Sequence, residues 1–266
     1  MRDFVNDTIK KIKPSGIRKF FDIANRMEDC VSLGVGEPDF DTPWHITEEG
    51  IYSLEQGKTF YTSNQGLPEF REEISRWSKR KYGLDYSKDD IIVTIGGSEA
   101  IDIALRSCVC PGDEVIILEP CYVCYKPDVE LAGGVAKIIQ LKNENQFRLT
   151  PEELEEAITP KTKILIMNYP NNPTGAIMSK SDLEKIASVI IKHDLLVISD
   201  EIYSELMYKG THTSIATLPG MRDRTLTING FSKAYSMTGW RLGYVMGPTN
   251  IIEQMKKIHQ NIIYFY

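Results

Sequence analysis

The chain has 266 residues, 42% of them apolar and 26% charged, an ordinary globular balance with material for one large core. A net charge of −6 argues against nucleic acid or an anionic membrane as the main partner. No apolar run reaches the roughly 20 residues that span a bilayer, and the N-terminus lacks the apolar core of a signal peptide, so a cytoplasmic location is expected.

Taken in chain order, the first 45 residues hold one amphipathic stretch, 17–27, and then a loop rich in glycine, proline and aspartate, 34–40. They carry too little apolar surface to fold alone and are expected to lean on the rest of the molecule or on a partner. Seven short β-branched runs follow, at 91–95, 114–118, 135–139, 163–167, 195–199, 225–228 and 242–246. Helix-length segments separate them. Gly96 and Gly97 open one that continues through Ile101, Leu105 and Cys108. Thr150 caps a second, with Pro151 first and Glu153 third in the helix. Ser179 precedes a third, in which Leu183, Ile186, Ala187 and Ile190 recur at helical spacing. Near-continuous apolar runs alternating with helices signify an α/β protein with a largely parallel sheet covered on both faces.

The five cysteines, Cys30, Cys108, Cys110, Cys121 and Cys124, are odd in number and do not form a disulfide framework. A C-x-C spacing with no histidine near either pair argues against zinc, so no metal is expected and the thiols are assigned to the core.

The segment Phe231-Ser232-Lys233-Ala234-Tyr235-Ser236-Met237-Thr238-Gly239-Trp240-Arg241 directly follows the sixth run. Its small and polar residues suit an irregular loop. A pocketed lysine forms an imine with an aldehyde cofactor, and the planar fork of an arginine clamps a phosphate. Lys233 and Arg241 therefore point to pyridoxal 5'-phosphate. Ligands of open α/β sheets bind beyond the carboxyl ends of the strands, so the other strand ends test this idea independently. After the first run, Gly97 and Ser98 begin a helix whose free N–H groups suit a phosphate. After the second, Tyr122 offers a ring for stacking. After the fourth, Asn172 in a proline-rich turn can meet a phenolic oxygen. After the fifth, Asp200 suits a protonated ring nitrogen, although alone it equally suits a helix N-cap. Tyr203, three residues on, would share a side with it on a starting helix.

These residues lie in strings that resemble the class I/II aminotransferases of the fold-type-I pyridoxal-phosphate superfamily: GVGEPDFDTP at 34–43, YTSNQGLPEFR at 61–71, GGSEA at 96–100, YPNNPTG at 169–175, DEIY at 200–203 and SKAYSMTGWRLGY at 232–244. The resemblance implies a three-layer αβα sandwich with a mostly parallel seven-stranded sheet. It implies an N-terminal arm and small-domain segment over 1–45, a large domain over 46–266, and an incomplete small domain. Lys233 would be the Schiff-base lysine and proton shuttle, with Asp200 on the ring nitrogen and Asn172 and Tyr203 on the ring oxygen. Tyr122 would stack on the ring. Gly97, Ser98, Ser232 and Arg241 would surround the phosphate, joined by Tyr61 from the second subunit of a homodimer. Gly36 and Asn172 would face the substrate, an amino acid or a 2-oxo acid.

Two departures stand out. The residue three before the lysine, often serine in the family, is Gly230. The family also continues beyond residue 266 with a segment that supplies an arginine for the substrate carboxylate, and no arginine follows Arg241 here. The expectation is a shortened chain that holds the cofactor and turns over weakly or not at all. A non-catalytic cofactor-binding core and a pyridoxal-phosphate-dependent lyase are the other two readings.

Overall fold

The computed structural model describes residues 2–14, 27 and 36–263. Most of the amphipathic stretch 17–27, together with Cys30, Gly34 and Val35, lies outside the described residues. Eight α-helices occur among those described: α1 (Asp7–Lys11), α2 (Trp44–Glu55), α3 (Pro68–Tyr82), α4 (Gly96–Cys108), α5 (Tyr125–Leu131), α6 (Pro151–Ala157), α7 (Lys180–Lys192) and α8 (Thr249–Ile263). None is long and apolar enough to cross a membrane.

All seven expected strands are present and join one sheet: β1 (Ile91–Ile95), β2 (Glu114–Glu119), β3 (Val135–Gln140), β4 (Thr162–Asn168), β5 (Leu196–Asp200), β6 (Thr225–Gly230) and β7 (Leu242–Met246). Their order is β1-β7-β6-β5-β4-β2-β3. Only β7 runs against its neighbours, β1 and β6. The other strands therefore end on one edge of the sheet, while β7 begins there. The loop from the end of β6 to the start of β7, which carries Lys233 and Arg241, is confined to that edge.

Period-two alternation places helices on both faces. Ile116, Leu118, Leu165, Met167 and Val197 pack beneath α6 and α7. The intervening Val115, Ile117, Ile164, Ile166 and Ile198 pack beneath α4, α5 and α8. On β1 and β7, Ile91, Val93, Tyr244 and Met246 meet Ile74 of α3. Local signals set the helix starts as expected: Thr150 with Glu153, and Ser179 with Asp182, form reciprocal capping boxes.

Three expectations need correction. No helix starts at Asp200. Its Oδ1 accepts from the N–H of Ile202 at 3.2 Å, and the N–H of Glu201 bonds back to the carbonyl of Ile228 on β6 at 2.8 Å, so the chain runs on as turns. The four described cysteines divide: Cys108 and Cys121 are partly buried and pack against the core as expected, Cys124 is partly buried, and Cys110 is exposed. Gly230 is not simply a lost hydroxyl. A Cβ there would lie 3.0 Å from Gly243 Cα, Ile202 Cδ1 and the Leu242 carbonyl, so close packing of β6 on β7 favours glycine.

Ahead of the sheet, α2 buries none of its residues. This stretch is tied to the 231–241 loop. Thr42 donates to the Ser236 carbonyl at 2.7 Å and accepts from Trp240 Nε1 at 3.2 Å. The indole of Trp240 lies over Gly50, where a Cβ would come within 2.8 Å of Cη2.

Candidate active site

The backbone comes first. The glycine turn that ends β1 packs directly on β7: a Cβ on Gly243 would lie 2.6 Å from Gly96 C and 2.7 Å from Gly97 N. Gly96 has φ +70°, and a Cβ there would meet Arg241 Nη2 at 2.7 Å. Arg241 is itself left-handed (φ +53°), and its Nη1 donates to the Thr238 carbonyl at 3.0 Å. No side chain caps the start of α4. A guanidinium and uncapped helix N–H groups thus converge on a turn too tight for side chains, which suits a phosphate. Ser98 is exposed at this turn.

Next to the cradle lies a buried acid. Asp200 is 6% exposed. Its Oδ2 accepts from the Tyr125 hydroxyl at 2.6 Å, and among the described residues no basic side chain makes an ion pair with it. Burial pushes its carboxyl above the usual range, partly offset by the bonds from Tyr125 and Ile202. Asn168, the last residue of β4, donates to the Asp200 carbonyl at 2.9 Å and accepts from the N–H of Asn172 at 2.8 Å. Asn172 Nδ2 in turn donates to the Tyr203 hydroxyl at 3.4 Å. Burial, followed by the charge of Asp200, holds Tyr203 up at about 12. Tyr122 sets its ring edge-on to Tyr125, with centroids 5.7 Å apart.

Lys233 faces this group. Its Nζ lies 6.0 Å from the centroid of the Tyr203 ring and donates to the Gly36 carbonyl. Burial lowers its pKa below the ordinary lysine value. The Glu37 carboxylate opposes that shift and the Arg241 guanidinium adds to it. Ser232 is buried, and its carbonyl accepts from the N–H of Met237 at 3.1 Å. Tyr61 lies on the loop ahead of α3, 81% exposed.

A profile of the family described as Aminotransferase class I and II matches residues 28–265. The chain belongs to the class I and II aminotransferases.

The YugH protein of Bacillus subtilis (strain 168) is 52% identical over 261 residues, 98% of this chain and 68% of that protein. The aspartate aminotransferase of Pyrococcus abyssi is 48% identical over 255 residues, 95% of this chain and 66% of that enzyme. Among solved structures, an aspartate aminotransferase from Thermus thermophilus with maleate superposes with a TM-score of 0.93 at 40% identity, covering 98% of this chain and 69% of that one. The chain thus spans about two thirds of the length of these relatives.

Class I and II aminotransferases use pyridoxal phosphate, and the residues here fit that group. The crowded turn under Arg241 matches its phosphate, and the buried, cation-free Asp200 matches a protonated ring nitrogen. Sequence reasoning missed Tyr125, which holds Asp200 from α5. The one available signal was its spacing, three residues after Tyr122. It also missed the buried Glu201, which accepts from Ser199 Oγ at 2.9 Å and Ser214 Oγ at 2.7 Å and lies 2.7 Å from His212 Nε2. Ser199 is two residues away, but Ser214 and His212 lie 13 and 11 residues on, across a loop that no local pattern marks.

Proposed function

We propose that this aminotransferase moves an amino group between an L-amino acid and a 2-oxo acid, with Lys233 as its Schiff-base lysine. The observation that carries the proposal is the placement of the Lys233 amine over Tyr203, whose hydroxyl is held by Asn172 beside the buried Asp200. Bound pyridoxal phosphate supplies an aldehyde that condenses with amines and a protonated ring that withdraws electrons from the substrate.

The chain's own groups do the rest. Gly97, Ser98, Ser232 and Arg241 bind the phosphate and fix the plane of the ring, and Tyr122 stacks on it. Asp200, held by Tyr125, keeps a proton on the ring nitrogen. Asn172 and Tyr203 hold the phenolic oxygen. Lys233, whose pKa burial lowers, would take the proton from the substrate α-carbon at Nζ and pass it on. Gly36 and Asn172 border the substrate. The protein works in the cytoplasm, with 1–45 as arm and small-domain segment and 46–266 as the large domain. It forms a homodimer in which the exposed Tyr61 reaches the phosphate site of the second subunit.

The decisive experiment is absorbance of the protein loaded with pyridoxal phosphate. Wild type should show the visible band of lysine-bound cofactor, and Lys233→Ala should abolish it. An unchanged spectrum in Lys233→Ala would overturn the assignment. For the dimer, a mixed oligomer of Tyr61→Phe and Lys233→Ala chains should recover activity that neither variant has alone, because one of its two sites would be intact. No recovery would place Tyr61 within its own subunit's site.

A further inference from the structure

His259 on α8 is fully buried and lies at a junction that the cofactor chemistry leaves unexplained. Its Nδ1 is 2.9 Å from Glu99 Oε1, and its Nε2 is 2.8 Å from the carbonyl oxygen of Asn64. A carbonyl only accepts, so Nε2 carries a proton and donates it to Asn64. The Glu99 side chain is 10% exposed, and its second oxygen, Oε2, accepts from the N–H of Ile95 at 2.6 Å. Both carboxylate oxygens are therefore committed, and the carboxylate has one orientation.

Three elements meet at this junction. Glu99 stands in the first turns of α4, immediately after Gly96, Gly97 and Ser98. Ile95 is the last residue of β1. Asn64 belongs to the loop that also carries Tyr61, and that loop is pinned to β1 by the bond from the N–H of Val93 to the Gln65 carbonyl, 3.0 Å.

The Gly96–Gly97 turn has two glycines and no side-chain cap. Thr94 Oγ1 holds the Gly96 carbonyl at 2.9 Å, and Gly243 packs against the backbone of the turn. Glu99 is the side chain that holds the Ile95 N–H ahead of it. We propose that His259 and Glu99 are positioning residues for the cofactor phosphate. Glu99 grips the backbone on the strand side of the turn, and His259 fixes Glu99 against the Tyr61 loop. The donors of Gly97 and Ser98 are thereby left facing the ligand. This inference rests on the active-site assignment made above.

Titration of the apoprotein with two aldehydes tests it, with each dissociation constant read by absorbance. Pyridoxal phosphate carries the phosphate, and pyridoxal does not. His259→Leu and Glu99→Ala should each weaken pyridoxal phosphate about tenfold, the scale of one lost charged hydrogen bond, and leave pyridoxal within about twofold of wild type. Glu99→Gln should bind like wild type. Its amide oxygen still accepts from Ile95, and its NH2 can donate to Nδ1 once that nitrogen carries no proton. Should His259→Leu fail to fold, Glu99→Ala and its rescue by Glu99→Gln carry the test. An equal loss for both aldehydes, or no loss for either, would overturn the proposal. Wild-type protein that binds neither aldehyde would overturn the active-site assignment and this pair with it.

Discussion

Two regions of the molecule hold the same site in opposite ways. At the sheet edge, β6 is buried along its whole length, and Asp200 and Tyr125 lie within the core. In the segment from Gly36 to the end of α2, nothing packs into a core, and Trp44 and Leu54 are about two-thirds exposed. That segment reaches the sheet through one loop: Gly36 bonds to Lys233, Glu37 to Thr238, Thr42 to Ser236 and Trp240, and Gly50 lies against Trp240. The sheet edge positions the chemistry with the energy of the core. The N-terminal segment covers it through a few contacts to the loop that carries the lysine. Substitutions at the edge should therefore change binding and stability together, and substitutions at the cover should leave global stability nearly unchanged.

The sharpest break in that comparison is Asp200→Ala. It removes the partner of the ring nitrogen, so transamination should fall by roughly 10²–10³, the scale of a lost electrostatic contact in a buried site. It also leaves the Tyr125 hydroxyl buried without its acceptor, which costs about 1–3 kcal/mol of stability. Steady-state kinetics and denaturant titration read the two effects, and wild-type values in both would remove Asp200 from the site. Gly243→Ala comes next. Its Cβ would press on the backbone of Gly96 and Gly97, which cannot turn aside as a side chain can. The expected cost is about 1–3 kcal/mol together with weaker retention of pyridoxal phosphate. Gly239→Ala, with nothing within 4 Å, is the control and should change neither.

The same contrast decided what the sequence revealed. Apolar runs show buried strands, and all seven were legible because β-branched residues repeat wherever both faces of a sheet are covered. Lys233, Asp200, Asn172 and Gly97 were legible because each lies within five residues after the end of such a run. Tyr125, Glu201 and His259 were not, since their partners lie 75, 11 and 160 residues away and no local spacing encodes such a pairing. The helix expected after Asp200 failed for a local reason. An aspartate that can cap a helix can also bond the second N–H onward and close a turn, and the pull of Glu201 toward β6 selected the turn. The crowding at Gly230 was invisible because it depends on how closely two strands approach.

Where the cover meets the loop, Trp240→Ala should be mild. It removes the contact to Gly50 and the bond to Thr42, so global stability should change by about 1 kcal/mol or less. Limited proteolysis within 36–56 should accelerate, because that segment loses part of its hold on the loop. A large loss of global stability with no change in cleavage would show that the cover belongs to the core after all.

The smallest effect tests the cover electrostatically. Burial lowers the Lys233 pKa, and the Glu37 carboxylate favours the charged amine and opposes that shift. Only the neutral amine attacks an aldehyde, so the rate at which apoprotein captures pyridoxal phosphate should rise with pH, with a midpoint below the ordinary lysine value of 10.5. Folding follows the same sign. The folded state holds fewer protons at this site than the unfolded chain between the lowered pKa and 10.5, so this contribution to stability grows with pH through that window and is lost as pH falls below it. Glu37→Gln removes the opposing charge and keeps an acceptor for the Thr238 hydroxyl. The capture midpoint should then move further down in pH, and capture near neutrality should quicken modestly. A midpoint that moves up would mean that Glu37 acts on the lysine through the position of the segment rather than through its charge.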